Sequence, residues 1–80
     1  MTKRVSWSTD AEAELFALPP SEAEEVFEAM ERLAATGMGF VRVLTDGSDE
    51  YALYLGNYRV LFRFRDTHLE VYGVVRRSRK

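Results

Sequence analysis

The chain has 80 residues and a mass of 9.2 kDa, with 11 Lys and Arg, 13 Asp and Glu, one His and no Cys. That size allows one domain with one core; without cysteine there is no disulfide framework or thiolate metal cage, and one histidine cannot build a histidine zinc site. No apolar run approaches the ~18 residues of a membrane span, and Met1-Thr2-Lys3-Arg4-Val5-Ser6-Trp7 has no apolar segment behind its basic residues, so the expectation is a cytoplasmic protein, neither secreted nor membrane-inserted.

Val5 and Trp7 share one side of a short strand. Thr9-Asp10-Ala11-Glu12 then offers a helix start, with Thr9 as cap and Glu12 reaching back to it. Ala11, Leu15 and Leu18 keep helical spacing to about residue 18, where Pro19-Pro20 ends the helix. Ser21-Glu22-Ala23-Glu24 repeats the capping pattern, and Val26, Phe27, Met30, Leu33 and Ala34 form an apolar stripe that stops at Gly37. This half reads as a strand followed by an αα-hairpin.

Beyond Gly37 the apolar period changes from 3.6 to 2. Residues 40–44 are extended, 45–49 form a loop, and 51–55, 58–65 and 69–75 are strands joined by two-residue turns at Gly56-Asn57 and Asp66-Thr67. The predicted class is α+β: an N-terminal strand, the αα-hairpin, and an antiparallel β-meander packed on the helices, one domain over residues 1–80. The turns set the register. Leu55 faces Tyr58, Tyr54 faces Arg59, Phe64 faces Leu69 and Arg63 faces Glu70. One sheet face then carries Tyr51, Leu53, Leu55, Tyr58, Val60, Phe62, Phe64, Leu69 and Val71 and buries against the helices. The other carries Ala52, Tyr54, Arg59, Leu61, Arg63, Arg65, Glu70, Tyr72, Val74 and Arg76.

Charge follows the same division. Residues 9–31 hold eight acidic and no basic residues, whereas residues 51–80 hold seven basic and two acidic ones. Arginines beside tyrosines on an open sheet suit nucleic acid, because guanidinium matches phosphate in a planar fork and aromatic rings stack on unpaired bases. Arg63, Arg65, Tyr72, Arg76, Arg79 and Lys80 are therefore candidate nucleic-acid contacts. Tyr54 opposite Arg59 is the most concentrated pairing. Gly37-Met38-Gly39 lacks the third glycine of a dinucleotide fingerprint, and His68, beside a turn, reads as a surface residue.

A strand ending in Ser-x-x-Ala, a helix closed by Leu18-Pro19-Pro20, a helix ending Glu31-Arg32-Leu33, the run Tyr51-Ala52-Leu53-Tyr54-Leu55-Gly56-Asn57-Tyr58-Arg59-Val60-Leu61-Phe62 and a last strand entering Arg76-Arg77 together resemble the RelE/ParE toxin superfamily, the RelE-like branch in particular. The resemblance spans nearly the whole chain. It implies the toxin of a bacterial type II toxin–antitoxin pair with a microbial-RNase-type fold: an mRNA interferase that cuts mRNA on the ribosome, inhibits translation, needs no metal or other cofactor and is neutralised by a cognate antitoxin. It also implies catalytic roles for Arg59, which matches the arginine of the Gly-x-Tyr-Arg motif, and for Arg77 beyond the last strand. Tyr54 is the ionisable neighbour of Arg59 and the candidate for acid, base or stacking platform. RelE-like nucleases commonly carry basic side chains where this chain has Ala52 and Tyr54. A second reading follows, a non-catalytic ParE-like inhibitor of DNA gyrase or a degenerate toxin acting mainly through its antitoxin.

Overall fold

The computed structural model describes residues 4–44, 49–65 and 67–76. Strand β1 (Arg4–Trp7) leads into helices α1 (Thr9–Phe16) and α2 (Pro20–Thr36), and β2 (Val41–Val43), β3 (Glu50–Leu55), β4 (Tyr58–Phe64) and β5 (His68–Arg76) follow. They form one sheet in the order β1-β5-β4-β3-β2. Strands β2 to β5 are the predicted antiparallel meander with a short extra strand at its edge, and β1 lies parallel to β5, with Val5 opposite Leu69 and Trp7 opposite Val71. Among the described residues no helix is long and apolar enough to cross a membrane.

The helix boundaries differ from the sequence expectation for identifiable reasons. Ser8, not Thr9, caps α1: its Oγ accepts the Ala11 N–H at 3.1 Å. The Ser8 N–H makes the last bond to the sheet, to the Val71 carbonyl at 2.9 Å, and the same residue caps the helix one position earlier than expected, so Glu12 falls too late for a capping box. The helix ends at Phe16 rather than near Leu18. The Leu18 N–H bonds Leu15 at 3.1 Å in a tightened last turn. Helix α2 starts on Pro20 with no side-chain cap, because proline at the first helical position gives up an N–H that has no partner there anyway. Ser21 and Glu24 therefore form no capping box. Gly37 ends α2 as expected, with φ +77° and its N–H on the Leu33 carbonyl at 2.8 Å.

The core lies between the helix pair and one sheet face. Ala11, Leu15, Val26, Ala29, Met30, Leu33 and Ala34 meet Leu53, Tyr58, Val60, Phe62, Leu69, Val71 and Val74. Phe62, Met30, Leu69, Val26, Val60 and Val71 are fully buried, each worth roughly 1.5–3 kcal/mol relative to exposure. Phe27 was expected in this stripe and is outside it, 44% exposed and stacked on Trp7 at 6.1 Å. Positions 26, 29, 30, 33 and 34 already complete the buried face, and Phe27 stands about 100° around the helix from Val26.

The hairpin at Gly56-Asn57 has the expected register, with positive φ (+56°) at Gly56 alone, as a type II′ turn requires. Strand β5 begins in register with β4, Phe64 opposite Leu69 and Phe62 opposite Val71, and then slips. Tyr72 is an extra, unpaired residue, and Gly73 faces Leu61. Everything after the bulge changes sides. Val74 comes opposite Val60 and enters the core, Arg76 comes opposite Tyr58 on the helix side, and Val75 takes the place beside Arg59. The open-face positions expected for Val74 and Arg76 are thereby corrected. The bulge sits where β5 outruns β1, and there Glu14 of α1 accepts the Val74 N–H on Oε1 at 2.7 Å.

Candidate nucleic-acid interface

On the open face two clusters form with different chemistry. In the first, Tyr54 of β3 stands directly opposite Arg59 of β4, whose guanidinium carbon is 5.9 Å from the Tyr54 ring centre. Edge strand β2 brings Arg42 to 6.0 Å from the same ring on its own side, and Phe40 meets Tyr54 edge-on at 6.0 Å. Arg42 also lies 6.0 Å from the Phe40 ring. One phenol ring is thus held between two guanidinium groups, each at the outer limit of cation–π attraction. Among the described residues neither arginine has an ion pair, and the Nε of Arg59 is buried without a hydrogen-bond partner. Two cations with no ion pair among the described residues, beside an aromatic platform, are suited to a phosphodiester with an unstacked base.

The backbone accounts for this placement. Tyr58, the residue before Arg59, points into the helix side and donates its hydroxyl hydrogen to Glu22 Oε1 near the start of α2. That bond, burial and the Glu22 charge push the Tyr58 phenol above its ordinary value, against an opposing pull from Arg76. The start of β4 is fixed on one face, and Arg59 projects from the other. Ala52, between Arg42 and Leu61 in the ladder, is fully buried beneath its neighbours.

The second cluster neutralises itself. Arg63 lies 4.1 Å above the Tyr72 ring and pairs with Glu50 at 3.4 Å and Glu70 at 3.8 Å. Arg65 pairs with Asp49 at 3.0 Å and Glu70 at 3.3 Å, and the Tyr72 hydroxyl donates to Glu50 at 3.4 Å. Burial first, and then the Glu50 charge, raises the Tyr72 pKa against the influence of Arg63. Two arginines here face three carboxylates, so the predicted contacts Arg63, Arg65 and Tyr72 are engaged with acidic neighbours. Arg76 is removed from both clusters by the bulge. Arg77, Arg79 and Lys80 lie outside the described residues, as do residues 45–48 of the expected loop and Asp66 of the second turn.

Phe40 and Arg42 were missed at the sequence level. Their alternation with Val41 was a usable signal, but the 45–49 connection is no two-residue turn and sets no register. Only the observed pairing of Val41 with Leu53 places Arg42 beside Ala52 and Phe40 beside Tyr54.

No protein-family model and no curated protein matches the chain. Among solved structures it is similar to the RelBE2 toxin–antitoxin complex of Mycobacterium tuberculosis, with a TM-score of 0.84 and 24% identity over 99% of this chain and 95% of that one. It is also similar to the archaeal RelE–RelB complex of Pyrococcus horikoshii, with a TM-score of 0.80 and 25% identity over the whole of both chains. The RelB–RelE complex of Methanococcus jannaschii matches with a TM-score of 0.73 and 11% identity over 89% of this chain and 88% of that one. The fold is the RelE-like toxin fold.

Proposed function

We propose that the chain is the toxin of a type II toxin–antitoxin pair and that its open sheet face cuts mRNA on the ribosome. The observation that carries this reading is the placement of Arg42 and Arg59, neither ion-paired with another described residue, on either side of the Tyr54 ring, on a fold whose solved neighbours are toxin–antitoxin complexes. In the reaction the 2′-hydroxyl oxygen attacks the adjacent phosphorus, the bond to the 5′-oxygen breaks, and a 2′,3′-cyclic phosphate remains. Negative charge grows on the phosphoryl oxygens as this happens. Arg59 and Arg42 are the groups that stabilise it, and the family resemblance assigns the same role to Arg77. Guanidinium stays protonated and makes a poor base, so the Tyr54 hydroxyl is the side-chain route for the proton given up by the 2′-oxygen or taken by the 5′-oxygen. The partner that neutralises such a face is an antitoxin segment laid over it.

One observation favours a second reading. Ala52 and Tyr54 replace basic residues that RelE-like nucleases commonly carry, and Arg63 and Arg65 are tied to Glu50, Glu70 and Asp49. A face with so few free cations also fits a non-catalytic toxin that binds DNA gyrase or only its antitoxin. Programmed 70S ribosomes with an empty A site separate the two. Codon-positioned cuts by the wild type that Arg59→Ala and Arg77→Ala suppress establish the nuclease. Intact mRNA beside a blocked gyrase supercoiling reaction establishes the alternative.

A further inference from the structure

A second surface, on the helix side of the sheet, is unrelated to the arginine cluster. Trp7, Leu15, Phe16, Ala23 and Phe27 line an apolar cleft of about 270 Å³ between β1, α1 and α2, edged by Glu12 and Glu24. Phe16 is 73% exposed and Phe27 44%, so two large aromatic rings face solvent side by side with Trp7. The Trp7 Nε1–H is buried and has no acceptor among the described residues. Isolated exposed aromatics are ordinary, but a contiguous apolar patch with a polar rim marks a contact surface.

The rim identifies the occupant. Glu24, Phe27, Glu28 and Glu31 share one face of α2 at helical spacing, and Glu12 lies one turn before Phe16 on α1. Residues 9–31 contain no basic residue at all, so nothing on the hairpin itself offsets this charge until Arg32. Like charges at i and i+4, as at Glu24 and Glu28, repel one another, and a cationic partner converts that repulsion into attraction. The geometry points to a docking cleft for a basic amphipathic helix of a protein partner, its aliphatic ridge seated against Trp7, Phe16 and Phe27 and its Lys or Arg flanks over Glu12, Glu24 and Glu28. A groove walled by two helices accepts a third by the helix-in-groove mode, with anchors at i, i+3, i+4 and i+7. A second copy of this chain is a poor occupant, since its own helices carry the same sign. The inference does not rest on the nuclease reading.

Trp7 is the chain's only tryptophan and therefore reports on the cleft directly. The purified chain is titrated with two synthetic peptides of about 18 residues, long enough for five helical turns. Both have one Leu and Lys composition, one with leucines at helical spacing and one scrambled. The patterned peptide shifts Trp7 emission saturably, becomes helical on binding, and binds about tenfold tighter than the scrambled one, a difference of roughly 1.4 kcal/mol. In calorimetry Phe16→Ser and Phe27→Ser each weaken it several-fold. Phe16, 73% exposed, can be exchanged with wild-type melting, whereas Phe27→Ser also removes the stacking on Trp7 and is compared at a temperature where circular dichroism shows it fully folded. Glu24→Lys weakens it further and restores binding to a peptide with Glu in place of Lys. Equal binding of the scrambled peptide reduces the cleft to a charged surface and overturns the proposal. Unchanged affinity in both Phe variants does the same, and so does sedimentation of the free chain as a dimer that Phe16→Ser dissolves.

Discussion

Replacing Glu14 with alanine isolates the contact by which α1 covers the exposed edge of β5. β1 accompanies β5 only as far as Trp7 and the Ser8 N–H, and beyond Val71 no strand among the described residues pairs with β5 on that side. Glu14 Oε1 accepts the Val74 N–H there at 2.7 Å. Val74 is one of the core residues redirected by the bulge, so its backbone has to hold position for its side chain to stay buried. An amide left unmatched in a buried place costs about 1–3 kcal/mol; Glu14 is itself exposed and water can reach the site, which puts the loss near the lower bound, about 1 kcal/mol. Alanine's better helix propensity returns a few tenths of that. For a domain of this size, whose whole stability is of order 0.05–0.15 kcal/mol per residue, the change is substantial and lowers Tm by about 4–8 °C per kcal/mol. Thermal melts followed by circular dichroism, together with hydrogen exchange at the Val74 amide, measure it. Glu14→Gln keeps an acceptor oxygen and recovers most of the loss. A Glu14→Ala variant that melts with the wild type and keeps Val74 protected refutes the argument. So does a Glu14→Gln variant as unstable as the alanine one, since charge rather than an acceptor would then be at work.

At Gly37, where φ is +77° and a Cβ meets open space, Gly37→Ala costs about 1–2 kcal/mol through backbone conformation alone, visible as a lower urea midpoint with unchanged slope. Arg42→Ala, which removes a cation the sequence did not reveal, slows mRNA cleavage about tenfold or more on programmed ribosomes if it shares charge stabilisation with Arg59, while Tyr54→Phe separates proton transfer from stacking by keeping the ring. In contrast, Asp49→Ala shifts stability by less than about 1 kcal/mol at low salt and by nothing measurable at high salt, because its ion pair with Arg65 is solvent-exposed. The Tyr58 phenol has a raised pKa in the folded state, so its contribution is complete below the unfolded value near 10.0 and is lost as pH rises through the higher folded value. Urea midpoints above pH 10 therefore fall faster for the wild type than for Tyr58→Phe, and equal slopes in the two proteins would remove the Tyr58–Glu22 bond from the explanation.

Most of the architecture is legible in the sequence because its signals are local. Gly56-Asn57 sets the β3–β4 register without ambiguity, and with it the pairing of Tyr54 with Arg59, since a two-residue turn leaves no freedom to slip. The bulge at Tyr72 has no such signal. Residues 69–75 alternate as well in the straight register as in the bulged one, and only the packing of Val74 against Val60 and the lack of side-chain bulk at Gly73 beside Leu61 decide between them. The start of α1 is set in the same non-local way, by the Val71 carbonyl holding the Ser8 N–H.

The candidate site shows why a segment charge is a weak guide to a surface. Residues 51–80 sum to +5, yet Asp49 and Glu50, just outside that window, lie against Arg65 and Arg63 once β3 and β4 pair. Glu70 bridges the same two arginines from β5. Arg42, from residues 32–50, which hold two basic and three acidic residues, joins Arg59 instead. Strand pairing thus moves positive potential away from the stretch richest in arginine and toward the β2 edge, where Phe40, Arg42, Tyr54 and Arg59 converge. If phosphate is bound anywhere on this sheet, electrostatics favour that edge, and the salt dependence of RNA binding should fall more with Arg42→Ala than with Arg65→Ala. The opposite order would return the site to the arginines that the linear sequence makes most conspicuous.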